Sequence, residues 1–231
     1  MLINTLLSLL RGYHVDLGTV AAQVISILFV ILCILPLHEL AHAWVANKLG
    51  DPTAKLEGRL TFNPLASVDP MGALALLLFG FGWAKPVPVD SRYFRKPKRD
   101  MAITALAGPV SNLLAAFVGA VLVAVMEAFS PYNGFTNFVY NVLWYYVVVN
   151  ISLAVFNLIP MPPLDGSRIV AAFLSDRAMY TYYRYQNLFV MVMFLLLLSG
   201  ALSGPLATAQ TLFANIIFSL ARAPFQLFGL L

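Results

Sequence analysis

Residues 17–42 read LGTVAAQVISILFVILCILPLHELAH. No charged side chain interrupts Leu17 to Leu37, and two imidazoles and a carboxylate then follow at the end of the apolar run. A helix needs about 20 consecutive apolar residues to cross the hydrocarbon core of a bilayer. The stretch therefore predicts a first membrane helix from about Leu17 to Leu49, stopped by Gly50-Asp51-Pro52. Ionisable groups at such a place are costly unless something pairs them, so His38, Glu39 and His42 read as functional.

The rest of the chain fits this beginning. Of its 231 residues 61% are hydrophobic and only 10% charged, against about 25% charged in soluble proteins. A chain this short still exposes much of its surface, so the apolar excess calls for contact with lipid. Met101 to Met126, Ala128 to Leu164 and Tyr185 to Ala221 are also uncharged. These runs are too long and too many for a signal sequence. Met1 to Leu10 lacks a basic start and is too short to span, so it reads as an amphipathic or partly inserted entry segment.

The fold expected is an all-α polytopic membrane protein with four transmembrane helices, up to six in total. Helices after the first are expected from about Asp100 to Phe129, Phe135 to Leu158 and Thr181 to Leu198. Residues 206–231 form either a final span or an interfacial helix. A short β-hairpin turning at Glu57-Gly58 is expected within 53–67, a re-entrant segment at 70–84, and an extended piece at Lys85 to Val89. One membrane-embedded domain is expected over 1–231, with its core at 17–200 and an insertion at 50–100.

Between two apolar runs, Lys85, Arg92, Arg95, Lys96, Lys98 and Arg99 face only Asp90 and Asp100, which accounts for the whole net charge of +4. This is a topogenic loop and predicts the cytoplasmic side; it gives no reason to expect a nucleic-acid partner. The next helix then goes out and the following one returns, which puts its end near Leu158 on the cytoplasmic side. The first helix ends there too if 70–84 enters and leaves by one face. The single cysteine, Cys33, rules out an intramolecular disulfide framework and is expected to be a buried, inert thiol.

His38 and His42 stand four apart, on one helical face, so both rings can reach one metal ion. Neutral imidazole suits Zn²⁺. Glu39, next to the first ring, can reach a water at the metal without ligating it and serve as general base. Two packed histidines around a glutamate would be the bland alternative, and the cost of burying them in a bilayer weighs against it. Pro36 either kinks the helix near the metal or is a tolerated membrane proline. A catalytic zinc needs a third protein ligand and an open position. His14 precedes the first helix and would need a fold-back. Asp165 is the better candidate, on the predicted membrane side of His38 and His42, although an ordinary turn aspartate remains open on the residues alone.

His38-Glu39-Leu40-Ala41-His42 in a membrane helix, with Leu164-Asp165-Gly166 after a later one, resembles the site-2 protease family, peptidase family M50. Gly58 to Pro64 (GRLTFNP), Gly82 to Val89 (GWAKPVPV) and Ala107 to Asn112 (AGPVSN) extend the likeness in family order from about residue 36 to 168. The likeness is to the compact form of the family, so no PDZ or CBS domain is expected. The resemblance implies an intramembrane zinc metalloprotease whose substrate is a transmembrane segment of another protein in the lipid bilayer. It implies His38, His42 and Asp165 as zinc ligands, Glu39 as general base, and Asn157 as a residue that holds substrate or oxyanion. Asn112 would be a structural contact between helices, with Gly108 permitting close approach. Ser67 stands where many compact members carry a histidine. A transporter or metal carrier, and an inactive scaffold, are the competing classes. The 53–67 hairpin or the 85–89 strand is expected to pair with unwound substrate by β-addition.

Overall fold

A computed structural model describes residues 11, 13, 16–79 and 82–230. The entry segment expected at 1–10, and His14, lie outside the described residues. The first apolar stretch forms helix α1 (Leu17–Phe29), a π-helical turn (Val30–Ile34) and helix α2 (Leu35–Lys48). Pro36 supplies no N–H to the ladder and its ring crowds the preceding turn. The Leu35 N–H accordingly reaches back five residues, to the Val30 carbonyl. Such single-turn widenings commonly sit beside functional residues, and this one immediately precedes the turn of His38.

Short helices α3 (Thr53–Leu56), α4 (Pro64–Ser67) and α5 (Pro70–Phe79) follow. Then come α6 (Pro97–Phe129), α7 (Gly134–Asn157), α8 (Asp165–Ala171), α9 (Asp176–Arg184), α10 (Gln186–Leu198) and α11 (Ser203–Leu227). Among the described residues, four helices are long and apolar enough to cross a membrane: Val20–Lys48, α6, α7 and α11. The fourth differs from the expected one. The run from Thr181 to Leu198 is broken at Tyr185 (φ −97°, ψ 16°), leaving a polar, aromatic α9 and a short apolar α10. Most of the undecided stretch at 206–231 instead falls in the long α11, which ends at Leu227 and tolerates Pro205 because it falls in the first turn.

No β-hairpin forms at 53–67. Local capping wins over the alternation read there. Asp51 accepts hydrogen bonds from the Thr53 N–H and hydroxyl, and Asn63 caps α4 through the Leu65 N–H at 3.1 Å, with Pro64 in the favourable first position. The only β pairing among the described residues is one antiparallel bridge, Val68 to Ala84, supported by the Lys85 N–H donating to the Ser67 carbonyl at 2.8 Å. The two ends of the 70–84 segment therefore meet at one place. Between them, Leu76 of α5 packs on Ile27, Val30, Ile31 and Ile34 of the first helix.

Membrane helices associate by close packing of small residues more than by the hydrophobic effect. Along α6, Ala105, Gly108, Ala115, Ala116, Ala120 and Ala124 are buried and let α2, α7 and α11 approach. A second core joins Ala116 and Ala120 of α6 to Val147, Ile151 and Val155 of α7 and Ile217 and Ala221 of α11. Arg222 of α11 closes this end with a two-pronged bond to Glu127 of α6 at 2.6 and 2.8 Å. Cys33, expected to be buried, is free and exposed on the outer face of the first helix.

The fully buried Asp51 holds two segments at once: Oδ1 accepts from Thr53, and Oδ2 accepts from the Asp90 N–H at 2.8 Å. An Asp51→Asn substitution points an amide N–H₂ at one of these donors. We expect a loss of about 1–3 kcal/mol, read as a lowered midpoint in thermal unfolding. An unchanged midpoint would show that the contacts are dispensable.

Candidate active site

Three elements converge below the π turn. His38, Glu39 and His42 project from α2, Asp165 opens α8, and α6 passes behind both rings. The His38 and His42 Nε2 atoms lie 3.1 Å apart, and each is 3.2 Å from Oδ2 of Asp165. All three side chains are buried. The Nδ1 of His42 lies 2.7 Å from the Thr104 carbonyl of α6. A carbonyl can only accept, so this ring carries its proton on Nδ1 and turns a bare Nε2 lone pair inward. Burial pushes the Asp165 carboxyl up, but protons on the facing His42 and His38 rings, whose place a bound cation would take, outweigh it and hold the group well below the usual carboxylate range.

Lone pairs and a carboxylate oxygen aimed at one another at 3.1–3.2 Å are what a cation between them would satisfy. Tetrahedral ligands with bonds of about 2.0–2.1 Å stand about 3.3 Å apart. The trio thus fits a metal ion in both spacing and donor chemistry, and it is the group of described residues able to share one. The Nδ1 of His38 has no hydrogen-bond partner among the described residues.

Two glycines make this convergence possible. A Cβ on Gly108 of α6 would collide with Nε2 of His42 and with the His38 ring, so the rings occupy the room a side chain would take. A Cβ on Gly166 would collide with the Leu158 and Ile159 carbonyls, so only glycine lets α8 start against the end of α7 with Asp165 turned to the histidines. Gly108 was expected to serve helix packing in general; its specific neighbour is the histidine pair. The signal available in sequence was a glycine, a poor helix former, inside an otherwise strong helical run.

Glu39 is also buried, and its Oε2 accepts the Val87 N–H at 3.0 Å. The segment bearing Val87 is fixed from the other side by Arg59, whose guanidinium donates to the Lys85 and Pro86 carbonyls at 2.6 and 3.1 Å. These contacts explain the extended course of 85–89 without a sheet, and they alter its expected use. Lys85 and Val87 already spend their N–H groups, and Pro86 and Pro88 have none. Among the described residues, only Val89 of this segment keeps an N–H without a partner, so the segment does not offer a full edge to an added strand. A proline at Val87 would also strip Glu39 of its partner.

A cavity of about 290 Å³ opens over the trio, lined by Glu39, Trp83, Val87, Asn157 and Arg168 among others. Asn157 thus borders the cleft, although one amide N–H is spent on the Leu153 carbonyl of its own helix at 3.0 Å. Asn112 is buried but neither amide atom finds a partner among the described residues, so the expected polar contact between helices is not made. Ser67, the departure from the family pattern, is buried beside the 68–84 bridge.

The sequence profile described as Peptidase family M50 matches residues 26–200. A relative named "Putative zinc metalloprotease YwhC", from Bacillus subtilis (strain 168), is 46% identical over 136 residues, covering 58% of this chain and 62% of its own length. The similarly named Rip2 of Mycobacterium tuberculosis (strain ATCC 25618 / H37Rv) is 30% identical over 188 residues, 76% of this chain and 68% of its own. Zinc metalloprotease MJ0392 of Methanocaldococcus jannaschii is 31% identical over 157 residues, 67% of this chain and 36% of its own. The chain therefore spans less than two thirds of the length of the first of these. No solved structure matches it significantly. The profile takes in the helix of His38 and His42, the glycine of α6 behind them and the loop of Asp165, and on that ground the chain belongs to peptidase family M50.

Proposed function

We propose that the chain is a zinc endopeptidase of the site-2 protease type, which hydrolyses a peptide bond within or near a transmembrane segment of a membrane protein. The observation that carries this reading is the convergence of three ligand atoms at 3.1–3.2 Å beside a buried glutamate, in a chain with four bilayer-length helices. His38, His42 and Asp165 hold the zinc. When bound, that ion supplies a Lewis acid for the carbonyl and a lowered pKa for water. Glu39 takes the proton from the attacking water and returns it to the leaving amine. The Val87 N–H holds one oxygen of Glu39, leaving the other to work. Asn157, at the cleft wall, offers its remaining amide group to substrate, a donor suited to charge developing on the scissile oxygen.

The 85–100 loop, Arg168, Arg177 and Arg184 gather positive charge around the end of the molecule that bears Asp165. By the positive-inside rule the active site lies near the cytoplasmic face of the cell membrane. A metal carrier would need ligands spaced along a path, whereas the described residues group them at one point. The purified chain reconstituted with a labelled membrane-spanning peptide tests the proposal. Cleavage should stop when a chelator removes zinc and resume when zinc is restored. Zinc binding without any cleavage, accompanied by zinc flux into vesicles, would replace the peptidase with a carrier.

A further inference from the structure

Between the start of α6 and the α8–α9 corner lies a groove that shares only Arg168 with the lining of the cavity over the histidines. It consists of two cavities, of about 760 and 320 Å³, which share Pro97, Lys98, Ala172 and Met179. The larger is rimmed by Lys96, Lys98 and Arg99, and the smaller reaches Arg168. Not all of this charge is answered within the protein. Lys98 is held by Asp176 at 2.7 Å and by the Leu174 carbonyl at 2.8 Å, and Arg99 by Asp100 at 2.7 Å. Lys96 shares Asp100 with Arg99, its backbone N–H donating to Oδ2 at 3.0 Å, and Arg168 makes no ion pair among the described residues. The groove thus carries surplus positive charge, with Lys96 at the larger cavity and Arg168 at the smaller.

Its floor is of the opposite character. Ile103, Leu106, Ile169 and Phe173 line it. Ile103 and Leu106 are 43% exposed on a bilayer-length helix, and Phe173 is 85% exposed. Next to the groove, α9 carries Tyr180, Tyr182 and Tyr183 with Arg177 and Arg184, a composition suited to the headgroup layer. A cationic rim set over an apolar trough that opens toward lipid has one complementary occupant: a molecule with an anionic head and a long apolar tail.

We propose that this groove binds one anionic phospholipid, its headgroup at the wall the two cavities share, with Lys96 on one side and Arg168 on the other, and an acyl chain along Ile103, Leu106 and Phe173. A free anion would leave the trough wet, and a zwitterionic lipid would not use the surplus charge. The site rests on the membrane reading of the helices, not on the peptidase reading, and joins the helix that backs the histidines to the one that carries Asp165.

Native mass spectrometry of the full chain in detergent, with dioleoyl phosphatidylglycerol and dioleoyl phosphatidylcholine at equal concentration, provides the test. A single phosphatidylglycerol adduct should be retained in clear preference. Lys96→Gln and Arg168→Gln should each lower that preference, by about fivefold per lost cation. Leu106→Trp fills the trough without changing charge and should lower retention of the same adduct. Lys55→Gln, on an exposed side chain elsewhere, serves as control. Unchanged helical circular dichroism keeps the variants interpretable. Equal retention of both lipids, a preference untouched by the two charge variants, or full retention in Leu106→Trp would each overturn the proposal.

Discussion

Glu39→Gln should abolish peptide cleavage while leaving zinc in place. The substitution is isosteric, and the glutamine oxygen can still accept the Val87 N–H that Oε2 accepts at 3.0 Å. Rotamer and packing are therefore kept, and His38, His42 and Asp165 are untouched. What is lost is the basic carboxylate. General-base catalysis contributes about 10²–10⁴-fold, so kcat should fall by that amount with little change in KM. Zinc content, measured on the same preparation, should equal that of the unaltered protein. If both proteins cleave at the same rate, Glu39 is not the base. If the variant also loses zinc, Glu39 shapes the metal site and its catalytic role must be measured another way.

Much of the architecture was legible because bilayer physics is coarse. A run such as Leu17 to Leu37 has to be a helix in lipid, and its length alone argues that it crosses. Parts governed by local contacts were read less well. The alternation in Lys55-Leu56-Glu57 and Arg59-Leu60-Thr61-Phe62 suggested a hairpin, yet Asp51 and Asn63 cap two short helices there instead. A β pattern is a weak guide where a sheet has no second strand to reward it. Tyr185 breaks the stretch expected as one helix from Thr181, at the point where the polar, arginine-bearing segment gives way to the apolar run.

The site divides in the same way. Spacing alone places His38 and His42 on one face, whereas the meeting of Asp165 with them is a tertiary fact that only topology and family likeness could suggest. The clamp on Glu39 was not foreseen at all. It depends on Arg59 and the Val87 N–H, groups well separated in the chain whose types suggest no common task. The prolines of 85–89 point to an extended or polyproline-like course, and they also remove donors that an added strand would need.

The second large effect is expected at Gly108. On helix propensity alone, alanine should improve α6 by about 1 kcal/mol. The geometry opposes this, because an alanine Cβ would fall on the His38 and His42 rings. Neither side has room to yield. The Thr104 carbonyl on the previous turn of α6 holds His42 through Nδ1, and α2 lies packed along α6. Removing an outer-shell partner of a metal ligand costs roughly 10–100-fold in affinity. Displacing the ligands themselves should cost more, so Gly108→Ala should be purified nearly free of zinc and without cleavage activity. Gly119→Ala separates this from general damage to α6. Its Cβ would meet Tyr146 and Val147 at 2.7–2.8 Å, an overpacking that should cost about 1–3 kcal/mol of stability but spare the metal. Zinc content and thermal midpoint measured side by side should therefore move in opposite patterns, with metal lost at position 108 and stability lost at position 119. Full zinc occupancy in Gly108→Ala would mean that the rings can retreat, and that the close approach of α6 does not set the geometry of the site.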